Sequence, residues 1–334
     1  MPPAQLKKVL AAQWPEGWLR EFARFDVRPV AAASIGQVHR AQLHDGRDLA
    51  IKVQYPGVAR SIDSDVANVG ALIRMSRLLP KGFELGPYLA EAARQLHEET
   101  DYAREGDCLK RFAQLLDGTP GFVLPQMHMD WSTDSILAMD FVEGRPIEEA
   151  ASLPQEMREA IMTRLIDLML KEMFDFRLMQ SDPNFANYRF DPQSGDVILL
   201  DFGATRELSE EISMLYRRFF VAGLVNDVDM LEEVSASIGF VSENMNSSHH
   251  RQALDLISIA FEALRAPIFD FTDRSLTQRM QRGGEALARD GFVPPVLPMD
   301  VLYLQRKFGG MFLLGARLKV RLPVADIMRA YLAA

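Results

Sequence analysis

Asp182 and Asn187 lie five positions apart in the polar stretch Gln180-Ser181-Asp182-Pro183-Asn184-Phe185-Ala186-Asn187, and the apolar run Val197-Ile198-Leu199-Leu200 then ends in Asp201-Phe202-Gly203. Carboxylate and amide oxygens are hard donors of the kind magnesium takes together with water and phosphate oxygens. An aspartate, an asparagine five residues on, and a strand that delivers a second aspartate follow the order of a phosphoryl-transfer catalytic loop. There the first aspartate meets the hydroxyl proton, the asparagine holds one metal ion, and the Asp-Phe-Gly carboxylate holds metal on the phosphates. A polar turn before a buried strand is the bland alternative. Order and spacing together, with a lysine upstream, favour the chemical reading.

That lysine is Lys52 in Leu49-Ala50-Ile51-Lys52-Val53. Apolar neighbours on both sides turn it into a cleft rather than into solvent, where it would hold α- and β-phosphates and pair with a helix glutamate. Before it comes Ala31-Ala32-Ala33-Ser34-Ile35-Gly36-Gln37-Val38. Small side chains let backbone approach phosphate oxygens, and alanines in place of glycines stiffen such a loop because alanine avoids positive φ. The glutamate is chosen by periodicity. Leu89, Ala93 and Leu96 share one helix face, while Tyr102, Leu109, Phe112 and Leu116 share nearly the opposite one, with Glu105 inside this second seam. A carboxylate in an apolar stripe needs a cationic partner or a raised pKa, and Lys52 is the natural partner. Glu99 falls at the edge of the first seam.

The elements that must position these residues read as follows. Leu6 to Phe25 is helical in pattern, anchored by Leu6, Leu10, Leu19 and Phe22. Strands over Val38–Leu43 and Leu49–Gln54 flank the turn His44-Asp45-Gly46. A helix is expected from Val58 to Leu79, then breakers at Pro80, Gly82, Gly86 and Pro87, then one long helix from Leu89 to Leu116. Strands over Phe122–Met127 and Ile136–Val142 lead to the turn Glu143-Gly144-Arg145-Pro146. A helix ending near Phe176, two short strands (Tyr188–Phe190 and Val197–Leu200) and an almost wholly helical remainder complete the pattern. The expectation is an α+β, protein-kinase-like fold with two lobes, residues 1–143 and 144–334.

These residues closely resemble the UbiB family of atypical kinases, also called AarF-domain kinases, and above all its coenzyme Q-supporting branch. The resemblance runs from Leu6 to about Leu322. It is carried by the alanine-rich segment through Ala41, by Lys52-Val53-Gln54-Tyr55-Pro56-Gly57-Val58, by Glu99-Thr100-Asp101-Tyr102-Ala103-Arg104-Glu105, by Met179-Gln180-Ser181-Asp182-Pro183-Asn184, and by Arg306-Lys307-Phe308-Gly309-Gly310. It implies ATP and Mg2+, with a nucleotide site made of Ala31, Ala32, Ala33, Ser34, Gly36, Gln37, Val38, Lys52, Met139 and Val142. It further implies a Lys52–Glu105 pair, Asp182 as the catalytic acid, Asn187 and Asp201 as metal ligands, and Glu99 and Asp101 as an acidic motif. Its setting would be ubiquinone biosynthesis, with lipid or quinone-pathway proteins as partners and a cytoplasmic chain peripheral to the inner membrane. The family's Lys-x-Gly-Gln motif has no match in this sequence. Without that partner, Glu99 and Asp101 are expected to be solvated.

Two other functions compete with this one. A small-molecule kinase of the same fold would place histidine two residues before the catalytic aspartate, where this chain has Gln180. A pseudokinase scaffold would not need the intact set Lys52, Asp182, Asn187 and Asp201. The net charge of -9 argues against nucleic acid. A single cysteine, Cys108, excludes an internal disulfide. No secretory signal or membrane-length apolar run is visible. Val301 to Leu322 carries Arg306, Lys307, Arg317, Lys319 and Arg321 and no acid. It reads either as a surface for anionic lipid or, preferably, as packed helix with basic caps.

Overall fold

Successive side chains of a strand point to opposite faces, and this alternation divides the residues of the lysine strand between two environments. In the computed structural model, which describes residues 1–76, 84–242 and 244–332, the chain forms two compact units. One comprises Met1–Gly144 with Ile198–Thr205, and the other Arg145–Val197 with Arg206 onward. The segment carrying Asp201-Phe202-Gly203 thus packs with the first unit, although a single cut after residue 143 would leave it with the second.

The first unit starts with α1 (Pro3–Gln13) and continues through β1 (Phe22–Phe25), β2 (Ala31–Ala32), β3 (Gly36–Leu43) and β4 (Asp48–Gln54). Then come α2 (Val58–Ser76), α3 (Gly86–Glu99), α4 (Tyr102–Leu115), β5 (Phe122–Val123) and β6 (Ile136–Asp140). The main sheet has the order β1-β3-β4-β6, with β2 on β3. All its pairs are antiparallel, and Lys52 lies between Val38 and Leu137. Leu49, Ile51 and Val53 join a core with Leu6, Leu10, Trp14, Phe22 and Ile136. Burying each such aliphatic side chain contributes roughly 1.5–3 kcal/mol. Ala50, Lys52 and Gln54 face the other side, the side of Leu137, which clusters with Tyr102 and Ile35.

Two expectations about helices change here. The helix predicted to run to Phe25 stops at Gln13, and Phe22–Phe25 pairs with β3 instead. Leu6 and Leu10 are buried but Leu19 is 52% exposed, so the apparent helical spacing of Leu19 and Phe22 was coincidental. The helix predicted over Leu89–Leu116 is two helices. The change of apolar face marks the break: Asp101 leaves helical geometry and caps α4, its carboxylate accepting from the Arg104 N–H at 2.9 Å. Of the expected anchors of α2, Ile62 is buried and Val69 exposed. Leu79, Pro80 and Gly82 lie outside the described residues.

The second unit holds β7 (Arg145–Pro146), α5 (Gln155–Lys171), β8 (Leu178–Gln180) and β9 (Tyr188–Phe190). Helix α5 buries Ile161, Leu165, Leu168 and Met169 and runs straight into a π-helical turn, Glu172–Phe176. After β9 the chain turns at Asp191–Asp196 into β10 (Val197–Leu199). The remainder is mainly helical: α6 (Glu210–Val225), α7 (Val228–Ile238), α8 (Ser247–Leu264), α9 (Arg274–Arg289), α10 (Met299–Leu318) and α11 (Val324–Leu332). Helix α10 is a packed helix, with Val301, Leu304, Lys307, Met311 and Leu314 buried. Sheet-rich and helix-rich parts together make the fold α+β, as expected. Among the described residues, no helix is long and apolar enough to cross a membrane.

Candidate active site

Lys52 reaches the α4 side of the sheet because its strand neighbours, Ile51 and Val53, occupy the opposite core. Its ammonium lies 2.8 and 2.9 Å from the two carboxylate oxygens of Glu105 and 3.1 Å from Oδ2 of Asp201. The Lys52 and Glu105 side chains are 7% and 2% exposed, whereas Asp201 is 34% exposed. Burial opposes the charge on Lys52, but Glu105 and then Asp201 overcome it and hold the ammonium well above its ordinary range. Burial pushes the Glu105 carboxyl upward, and Lys52 is what keeps a charge there tolerable. At Asp201 burial also opposes ionisation, yet Lys52 and the Gly203 N–H hold the carboxyl below its usual value.

Helix α4 ties the Asp-Phe-Gly segment to this pair. Arg104 donates to the Gly203 carbonyl at 2.8 Å and to the Thr205 carbonyl, and the Phe202 ring packs on Phe112 with centroids 5.0 Å apart. Arg104 was not singled out from sequence. Its position beside Glu105 in the helix was the available signal. Tyr102, fully buried, places its ring 5.1 Å from the Lys52 ammonium.

The alanine-rich segment is a tight hairpin. Ala31 and Ala32 pair with Val38 and Gln37, and the Ala33 N–H donates to the Gly36 carbonyl at 3.0 Å. No residue from Ala31 to Ser34 has positive φ. Gly36 is required by close approach instead, because a side chain there would start 2.3 Å from the Val53 carbonyl oxygen. Ala31, Ala32 and Ser34 are exposed, Ala33 and Val38 half-buried. The Gln37 side chain turns away into a buried bond with His39 at 2.7 Å. Met139 is buried on β6 opposite Ala50, and Val142 follows that strand half-buried.

Asp101 is exposed and Glu99 partly exposed, in line with expectation, but each also holds a local contact. Glu99 accepts from the Ser34 hydroxyl at 2.9 Å, linking α3 to the alanine hairpin, and Asp101 is the α4 cap.

In the second unit, Asp182 and Asn187 meet: the Asn187 amide donates to Asp182 Oδ2 at 3.0 Å. Asn184 caps the turn between them, its side chain accepting from the Ala186 N–H at 3.1 Å. Asp201 in the first unit, and Asp182 and Asn187 in the second, each offer hard oxygen donors rather than thiol or imidazole. Asp201 is partly exposed and lies beside the Lys52 cation.

The chain is similar to known proteins over nearly its whole length. The model of the ABC1 atypical kinase-like domain matches residues 1–235. The zebrafish mitochondrial atypical kinase COQ8B is 36% identical over 99% of this chain and 54% of its own length. The Saccharomyces cerevisiae mitochondrial atypical kinase COQ8 is 35% identical over 98% of this chain and 66% of its own. The chain thus spans between about half and two thirds of the length of these relatives. Among solved structures, the erythromycin complex of Rv3197 from Mycobacterium tuberculosis shares the fold, with a TM-score of 0.80 and 23% identity over 99% of this chain and 83% of that one. With the lysine–glutamate pair, the Asp-Phe-Gly carboxylate and the Asp182–Asn187 loop in place, this chain belongs to the ABC1, or AarF-domain, atypical kinases on the branch that contains the COQ8 proteins.

Proposed function

We propose that this chain is an atypical kinase or ATPase that binds Mg-ATP and supports ubiquinone biosynthesis. The observation that carries the reading is the buried Lys52 ammonium held within 3.1 Å of both Glu105 and Asp201. A lysine so placed is costly as a structural device and is what a nucleotide's phosphates require. Glu105 orients Lys52, and Lys52 holds the α- and β-phosphates. Asp201 in the first unit and Asn187 in the second would each offer an oxygen ligand to magnesium, whose chemistry is to neutralise charge on the phosphates. Asp182 accepts the proton of the attacking hydroxyl or water. The hairpin at Ala31–Ser34 would cover the phosphate chain with its backbone.

The curated relatives are named as mitochondrial atypical kinases, and family membership supports the ubiquinone setting. Contact with lipid or quinone-pathway proteins at a membrane surface is part of the same proposal. Purified protein should release phosphate from Mg-ATP above a metal-free blank, and Asp182→Asn should remove that release. Cells lacking the protein should accumulate early quinone precursors. Normal quinone content would refute the pathway, and equal turnover by the variant would refute the role of Asp182.

A further inference from the structure

Both ends of the loop that carries Asp182 and Asn187 are tied to one buried ammonium. Lys307, in the middle of α10 and 2% exposed, donates to the Gln180 carbonyl at 2.9 Å and to the Tyr188 hydroxyl at 3.2 Å. It pairs with Glu172 at 2.9 Å, where Glu172 is 1% exposed. Glu172 in turn accepts from the Gln180 N–H at 3.3 Å. The pair therefore holds both backbone polar groups of Gln180, two residues before Asp182, and also the residue directly after Asn187. Glu172 reaches this point from the π-helical turn that follows α5, an irregularity that recurs at functional sites.

The same helix touches the loop twice more. Arg306 lies 3.8 Å from the Asp182 carboxylate. Gly310, one turn further along α10, lies so close beneath the loop that a side chain there would start 2.2 Å from Pro183 Cβ. Residues four apart share a helix face, so Arg306 and Gly310, with Lys307 beside them, present one surface to residues 180–188. A buried ion pair is weak evidence for stability, since apolar residues of similar volume often do as well. What a paired ammonium with two further partners supplies is direction: it fixes a carbonyl, a hydroxyl and, through Glu172, an N–H at set positions.

We infer that α10 is the template of the catalytic loop, with Lys307 and Glu172 as positioning residues that set Asp182 and Asn187 and with Gly310 admitting Pro183. This rests on the reading of Asp182 and Asn187 as catalytic-loop residues. The test uses Lys307→Met, the double variant Lys307→Met/Glu172→Met, and Gly310→Ala in the full chain. The double variant is expected to regain most of the thermal stability lost by Lys307→Met. Its turnover of Mg-ATP should nevertheless stay about tenfold or more below the parent, because misplacement of reacting groups is not repaired by removing charge. Nucleotide affinity should hardly move, and amide hydrogen exchange should rise selectively over Ser181–Asn187. A double variant that turns over like the parent, or whose loop exchanges no faster, would overturn the inference. Should the charge variants fail to fold, Gly310→Ala decides alone: it must lower turnover by displacing Pro183, and normal turnover refutes the template. Asp182→Asn separates the two claims. If that variant keeps full activity the catalytic assignment fails, while the exchange measurement still decides whether α10 positions the loop.

Discussion

Replacing Lys52 by methionine removes a charge from a pair that has almost no water around it. Glu105 is 2% exposed and takes contacts of 2.8 and 2.9 Å from Lys52. Breaking a buried pair from one side costs about 3–5 kcal/mol, because the remaining charge is stranded. With urea slopes of about 2–3 kcal/mol/M for a chain of this size, the midpoint should fall by roughly 1–2.5 M. The sign of the pH dependence is a sharper check. Without Lys52, burial and the neighbouring Asp201 carboxylate act on Glu105 against the Phe202 N–H and hold its folded pKa above the ordinary 4.5. A carboxyl raised in the folded state adds stability below its unfolded value and loses it as pH rises through the folded one. Lys52→Met should therefore be least harmful near pH 4–5 and most harmful near pH 8. The double variant Lys52→Met/Glu105→Leu should recover most of the loss and lose this pH dependence. A Lys52→Met midpoint within about 0.3 M of the parent, or a defect that shrinks as pH rises, would refute the buried-pair argument.

Gly36→Ala should destabilise the first unit by about 1–3 kcal/mol in urea unfolding, since its new carbon meets the Val53 backbone carbonyl at 2.3 Å and β3 and β4 must part to admit it. Ala32→Gly should leave the apo melting temperature nearly unchanged and shift nucleotide affinity in calorimetry, because Ala32 is exposed and glycine frees the hairpin to reach positive φ. Asp101→Ala should cost about 1 kcal/mol through loss of the α4 cap, and Glu99→Gln, at a half-exposed contact with Ser34, about 1 kcal/mol or less. Both fall well short of Lys52→Met in the same urea assay.

The lysine, its glutamate and the Asp-Phe-Gly carboxylate were legible because each leaves a local trace. Lys52 interrupts an apolar strand, Glu105 interrupts an apolar helix seam, and Asp201 ends an apolar run. The break between α3 and α4 left a trace too, in the change of buried face, but one long helix explained it equally well until Asp101 was seen capping α4. Phe22–Phe25 misled because its spacing suits a helix while its partner, β3, lies further along the chain. Lys307 was the hardest to see. In sequence it belongs to a basic run, and nothing local announces that Glu172 waits for it on a π-helical turn. Periodicity reports which face of an element is buried, but not which distant polar group will meet it there.

The central claim is that Asp201 serves a metal-bound nucleotide. Calorimetric titration of ATP with and without magnesium, into the parent and into Asp201→Asn, tests it most directly. An amide keeps the size of the carboxylate but offers a divalent ion no compensating charge. The account predicts magnesium-dependent binding by the parent and a loss of about tenfold or more in the variant, or about 1.4 kcal/mol. Equal magnesium-dependent affinity in the two proteins would contradict it.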